Sequence, residues 1–245
     1  MATRHNTCSA VSHPIRVSAF VDGQSYEIPD VQFTQPNLFM RVACADDAYI
    51  KTPSPRGQGD YVKFVRDGQP DKDDMRPLEP QERFEALDVA LKALPWLQTA
   101  CEACGRETAH YLLVHKQQAD RLRKHPAIRL PESRYVTLKF PSFLFFSSHK
   151  PAVVQQRIEG VSLWSMYDFQ ADCLDPSYSE YLPRIREQLL AWIESDLLHH
   201  VDWNIQNFIF VAAEGQLYYV DIKPTTFVAR WSNEHNLKGI RDVFL

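Results

Sequence analysis

The sequence predicts an α+β chain, β-rich at the start and helical towards the end. Three observations carry that expectation. Short alternating apolar runs broken by Asp-Gly, Pro and Gly turns fill the first third. Two long segments with apolar residues at helical spacing follow, and after Gly160 another amphipathic helix runs into one tight hairpin. At 245 residues, 44% hydrophobic and 12% aromatic, the chain suits one large domain or two small lobes and is too apolar for wholesale disorder.

In chain order, IRVSAFVDG (15–23) reads as a strand ending in an Asp22-Gly23 turn, and LFMRVACADDAYIKT (38–52) as a hairpin bending at Ala45-Asp46-Asp47. PSPRGQG is a turn-rich piece, DYVKFVRDG (60–68) a further strand, and the proline-bearing QPDKDDMRPLEP an exposed loop. PQERFEALDVALKALPWL (80–97) puts Phe84, Leu87, Ala90, Leu91 and Leu94 on one helical face, with Pro95 ending or kinking it. A second helix spans about 98–124 and is closed by the prolines of HPAIRLP. RYVTLKFPSFLFFSS and AVVQQRIEG read as two strands joined by a Ser-Ser-His-Lys-Pro turn. SLWSMYDF reads as a short helix, and a clearer one runs over 179–199 with Leu182, Ile185, Leu189, Trp192, Ile193 and Leu197 in register. NFIFVA, a Glu214-Gly215 turn and QLYYVDI complete a hairpin. No internal repeat or low-complexity segment interrupts this order.

Composition narrows the function classes. A net charge of −4 argues against general nucleic-acid affinity. MATRHNTCSAVSHP lacks the apolar region of a signal peptide, and the apolar run at 140–146 is far too short to span a bilayer. Five cysteines in a chain this long do not suggest a disulfide scaffold. A soluble, cytoplasmic protein without a transmembrane segment is expected.

One stretch stands out chemically. HHVDWNIQNFIF (199–210) sets Asp202 and Asn207 between the long helix and an apolar strand. The hairpin that follows ends at Asp221 and is short enough to return it near Asn207. One carboxylate, one amide and a second carboxylate would then converge at one end of a hairpin. Asn207 and Asp221 offer hard oxygen ligands suited to Mg²⁺, and Asp202 can accept or orient the proton of an attacking hydroxyl. Asp and Asn are also ordinary turn residues, so a capped turn is the competing reading for each one alone.

His200-Val201-Asp202, with Asn207 five residues after the Asp, resembles the catalytic loop of the protein-kinase-like superfamily. Asp221, in Val220-Asp221-Ile222-Lys223, falls where that superfamily keeps its metal-binding Asp. The aromatic-rich strand after Asn207 is similar to bacterial small-molecule and lipopolysaccharide kinases, including aminoglycoside-phosphotransferase-like proteins. Arg157-Ile158-Glu159-Gly160 resembles the hinge where backbone groups would meet adenine, and LRKHPAIRLP (122–131) the link from helix C to the fourth strand. The resemblance covers about 49–221, and its specific block is 200–221.

It implies a two-lobed protein-kinase-like fold. Residues 1–158 would form an N-lobe, mainly antiparallel sheet with one or two helices, and 159–245 a minimal helical C-lobe carrying the catalytic loop and metal-binding hairpin. ATP and Mg²⁺ are the implied cofactors. The phosphate would pass to a hydroxyl of an acceptor the sequence does not identify, whether sugar, lipid-linked sugar, small metabolite or protein side chain. The nucleotide-orienting lysine is read as Lys63 in YVKFV, because the helix bearing Glu82 and Glu85 follows it after one loop, with Lys51 in AYIKT the alternative. Its ion-pairing glutamate lies on one of the two helices, the first bearing Glu82 and Glu85, the second Glu102 and Glu107. His200 reads as a structural histidine rather than a base.

Departures from the pattern favour a second class. No GxGxxG loop exists in a chain with eight glycines, so phosphate would be held by a non-glycine turn around 22–26 or hardly at all. Ile222-Lys223 stand where Phe-Gly is usual, and 24 residues follow Asp221. The alternatives are a pseudokinase acting as a binding module, or a short C-lobe completed by a protein partner. A third reading, a zinc knuckle of Cys101, Cys104, His110 and His115, has a normal ligand set but unusual spacing and no second CxxC.

Overall fold

The computed structural model describes residues 15–21, 24–33, 40–44, 48–53, 80–140, 148–222 and 230–245, with side chains at 48–52, 84–139, 150–222 and 234–245. It is a mixed α+β chain whose strand pairs between named strands are all antiparallel. Two units divide it: Met1–Leu113 with Glu132–Arg157, and Val114–Pro131 with Ile158–Leu245.

In the first unit, β1 (Ile15–Val21), β2 (Gln24–Phe33), β3 (Met40–Cys44), β4 (Ala48–Pro53), β5 (Ser133–Phe140) and β6 (Ser148–Gln156) close into a barrel in the order β1-β2-β3-β4-β6-β5. Closure comes from β5 returning to β1, with Ser18 opposite Lys139 and Phe20 opposite Thr137. The hairpin expected at 38–52 is β3–β4, paired from Met40↔Pro53 to Cys44↔Tyr49. Strand β2 was not legible because Pro29-Asp30 interrupts it. The pairing slips there from Val17↔Ile28 to Ile15↔Val31, so two residues of β2 oppose one of β1. A bulge of this kind takes a proline without breaking the strand. The turn expected at Ser-Ser-His-Lys-Pro is instead largely strand: Ser148 to Pro151 pair with Phe140 to Thr137 of β5. The partnership with β4 starts only at Val153, so Pro151 sits where a missing N–H is tolerated. The expected strand 60–68 lies outside the described residues.

The two helices expected between 80 and 124 are three: α1 (Pro80–Ala93), α2 (Pro95–Cys104) and α3 (Arg106–Leu122). Leu94 is extended and Pro95 opens α2 at its first turn, where a missing N–H costs nothing. Gly105 takes φ 86° at the end of α2 and donates its N–H to Cys101 O at 2.8 Å, so the chain turns before α3 begins. Leu87, Leu97, Ala109 and Leu113 bury the shared apolar face. Helix α2 lies against β5 and β6, with Trp96 on Tyr135 at 4.8 Å between ring centroids.

The second unit is built on a different core. Its elements are β7 (Val161–Ser162), α4 (Leu163–Met166), β8 (Tyr167–Asp168), β9 (Cys173–Leu174), α5 (Leu182–Ile193), β10 (Phe208–Val211), β11 (Gln216–Tyr219) and α6 (Arg230–Phe244), with 3₁₀ turns at Pro176–Tyr181, Leu198–His200 and Ile205–Asn207. One sheet runs β11-β10-β7 and β8 pairs with β9. The helix expected over 162–169 is the single turn of α4, capped by Ser162 Oγ accepting the Ser165 N–H at 3.1 Å. The helix expected over 179–199 is α5, which stops where Ser195 Oγ donates to Trp192 O at 2.8 Å and accepts the Leu197 N–H at 3.1 Å. Helix α6 was not anticipated; it contributes Leu237, Ile240 and Phe244 to a core centred on Trp192, Trp203, Phe208 and Tyr219.

Residues 114–131 fall inside the first lobe as the sequence divides it, yet belong to this second unit. The cause is a set of bonds to β11: Arg129 N–H donates to Leu217 O at 2.9 Å, Tyr219 N–H to Arg129 O at 2.9 Å, and Gln216 Nε2 to Ala127 O at 2.9 Å. Ala119, Leu122 and Ile128 join the same core. Buried Gln188 fixes α5 to the hairpin: its Nε2 donates to Gly215 O at 3.1 Å while its Oε1 accepts Leu217 N–H at 2.8 Å and Gln216 Nε2 at 2.7 Å. Both ends of a buried amide are thus satisfied. Among the described residues no helix is long and apolar enough to cross a membrane.

Candidate functional site

The loop at 201–207 is anchored by alternation. Val201 and Trp203 are fully buried, whereas Asp202 and Asn204 are half-buried. Trp203 stacks on Phe208 at 5.7 Å and donates its indole N–H to Leu198 O at 2.9 Å. Asn204 caps the following 3₁₀ turn, its side-chain oxygen accepting the Gln206 N–H at 3.0 Å, and its carbonyl accepts the Asn207 N–H at 2.8 Å. The loop's shape therefore follows from two aromatic anchors and one Asx cap.

Asn207 is 7% exposed. Its Nδ2 donates to Asp202 O at 3.2 Å, which uses the nitrogen end of the amide and turns the oxygen end the other way. The hairpin runs from Phe208↔Tyr219 to Val211↔Gln216 and turns at Gly215, φ 61°. Beyond it, Val220 N–H donates to Asn207 O at 2.9 Å. Asn207 and Val220 are thus bonded partners, and Asp221 is the next residue along. Asp202, Asn207 and Asp221 all lie at this end of the hairpin.

Tyr219 completes the arrangement, and the sequence reading passed over it. Its hydroxyl accepts the Asp202 N–H at 3.1 Å. Burial, and after it the negative charge of Asp202, holds the phenol well above its usual pKa; the Asp202 N–H opposes them, and the Asp221 charge adds the least. The available signal was Tyr-Tyr in an alternating strand: one ring had to face inwards, and a buried tyrosine hydroxyl takes a partner.

His200 precedes Asp202 by two residues and belongs to a separate contact set. Arg121 Nη1 lies 2.8 Å from its Nε2 and 3.1 Å from its Nδ1, and Gln118 Nε2 donates to its carbonyl. Burial first, then the Arg121 charge, keeps the imidazole below its usual pKa, with Asp196 opposing. A ring nitrogen that accepts from a guanidinium is unprotonated, so His200 is a neutral anchor between α3 and the loop.

The remaining positions lie as follows. Lys51 is on β4, opposite Val42 and Val153, and is 8% exposed; Lys63 is outside the described residues. Glu82 is on α1, where its side chain is not described, and Glu85 of that helix is exposed. Glu102 on α2 is exposed, whereas Glu107 in the first turn of α3 is half-buried. Arg157, Ile158 and Glu159 link β6 to β7, and the two units part between Arg157 and Ile158. Gly160 follows, where an added Cβ would come 2.5 Å from Phe210 O and 2.8 Å from Ile209 Cγ2, so β10 requires a glycine at that point.

Cys101 and Cys104 are on α2, His110 and His115 on α3, neither cysteine in a disulfide. Burial raises the Cys104 thiol above its usual pKa, an effect that nearby Lys150 reduces. Among the described residues no three His, Cys, Asp or Glu side chains converge as a metal cage. No protein-family model matches the chain, and no curated protein matches it.

Proposed function

We propose that this chain is an ATP- and Mg²⁺-dependent phosphotransferase with a two-lobed, protein-kinase-like fold and a short helical C-lobe, transferring phosphate to a hydroxyl acceptor in the cytoplasm. The observation that carries the reading is the pairing of Asn207 with Val220, because it brings an amide and the Asp221 carboxylate to adjacent positions beside the loop bearing Asp202. Two oxygen donors are a suitable protein share for Mg²⁺, which commonly takes one or two side chains and completes its shell with phosphate and water. A soft metal would favour thiolates and imidazoles over an amide and a carboxylate.

Within that reading each residue has one task. Asn207 and Asp221 hold the metal, whose bound charge offsets that of the phosphates. Asp202 accepts the acceptor's hydroxyl proton through its carboxylate. Lys51 fits the nucleotide lysine, being buried on a strand that precedes the helices, the position that kinases give the lysine paired to a helix-borne glutamate; Lys63, the first choice from the sequence, lies outside the described residues. Glu107, half-buried where Glu85 and Glu102 are exposed, is the preferred partner of Lys51.

Calorimetric titration with ATP tests the metal assignment. Wild-type chain should bind ATP with an affinity raised by Mg²⁺. Asp221→Ala should lose the Mg²⁺-dependent part and keep its fold by circular dichroism. Wild-type-like Mg·ATP binding in that variant would remove Asp221 from the site.

A further inference from the structure

We propose that Tyr219 is the positioning residue for Asp202, a role that rests on the phosphotransferase reading above and adds a residue to it. The Asp202 peptide is gripped on both sides by side chains. Its N–H is held by the Tyr219 hydroxyl at 3.1 Å, its carbonyl by Asn207 Nδ2 at 3.2 Å. A proton acceptor on a loop needs this kind of support, because a displacement of about 1 Å at the reacting group can cost on the order of 10²-fold in rate.

Tyr219 is suited to the task because it cannot itself move. It is 1% exposed, with its ring against Trp192 at 5.8 Å and Phe208 at 5.3 Å. Its main chain is fixed on both edges of β11, opposite Phe208 on one side and bonded to Arg129 O at 2.9 Å on the other. The strand that supplies the hydroxyl is the strand that leads two residues later to Asp221. Asp202 and Asp221 are therefore referenced to one rigid support, and their relative placement survives motion in the loop itself.

The role is separable from mere packing. Phenylalanine keeps the ring and its contacts but removes the oxygen, leaving the Asp202 N–H without its acceptor. The readouts are kcat and KM for Mg·ATP turnover by the full chain, measured for Tyr219→Phe, Asp202→Asn and the double variant. Tyr219→Phe should lower kcat by about 10- to 100-fold with KM within about twofold of wild type. In the Asp202→Asn background it should lower kcat no further, since it acts through that carboxylate. Ile185→Val, a core change in the same unit, should leave kcat unaltered. Site-specific 3-fluorotyrosine at 219, which keeps the hydroxyl but weakens its oxygen as an acceptor, should give an intermediate kcat, and keeps the test open if Tyr219→Phe fails to fold. Wild-type kcat in Tyr219→Phe or the fluorinated chain would overturn the proposal, as would full additivity with Asp202→Asn or an equal loss in Ile185→Val. Absence of wild-type turnover, or unchanged turnover in Asp202→Asn, would instead overturn the phosphotransferase reading, and this inference with it.

Discussion

The contacts of His200 with Arg121 and Gln118 give it a structural part, the one it reads as having from the sequence. Its neighbours explain its protonation. Burial and the Arg121 guanidinium both disfavour the imidazolium, so the folded chain binds that proton less readily than an unfolded one. A depressed folded pKa contributes stability that is fully present above the ordinary imidazole value of about 6.5 and is lost as pH falls below it towards the folded value. Wild-type chain should therefore lose more stability between pH 7.5 and 5.5 than His200→Gln, whose amide can still accept from Arg121 but does not titrate. Denaturant melts of both chains at the two pH values measure the difference; equal losses would mean that neither burial nor Arg121 disfavours the imidazolium.

The hairpin and its loop explain why part of the site was legible. Asp202, Asn207 and Asp221 are spaced by a loop of fixed length and a two-stranded turn, so their place at one end of the hairpin follows from counting residues. Tyr219 and Arg121 were not legible because their roles depend on contacts across 17 and 79 residues of chain. Gly160 belongs with them: nothing local demands a glycine there, and its reason is β10 passing within a Cβ's reach. Gly160→Ala should push the Phe210 carbonyl aside at a cost of about 1–3 kcal/mol, the usual penalty for overpacking. For a chain this long that corresponds to a melting temperature lower by roughly 2–12 °C. A thermal melt matching wild type would show that the strand yields freely. Punctuation was misread where it coincided with continuing structure. Pro151 lies within β6 and does not end it, whereas Pro95 separates two helices as its position implied and Gly105 divides what periodicity alone ran together.

The fold class was legible in the order of alternating and helical segments, and the chain is a mixed α+β protein with antiparallel sheets. Its division was less so. Residues 114–131 carry helical periodicity with no mark of which core they serve; that is decided by Arg129 and Ala127 bonding to β11, strands that sequence separation of about 90 residues hides. Helix α6 was hidden for a related reason, since its apolar positions acquire meaning only from the core they complete. What the whole arrangement is for turns on Asp202. Asp202→Asn preserves shape but removes the charge that would accept a proton in the proposed reaction. The decisive measurement is Mg·ATP turnover alongside ATP affinity for wild type and this variant. The account predicts nearly unchanged affinity with turnover lower by about 10²–10⁴-fold. Unchanged turnover in the variant, or tight ATP binding by a wild-type chain that turns over none, would contradict it, the latter in favour of a nucleotide-binding module.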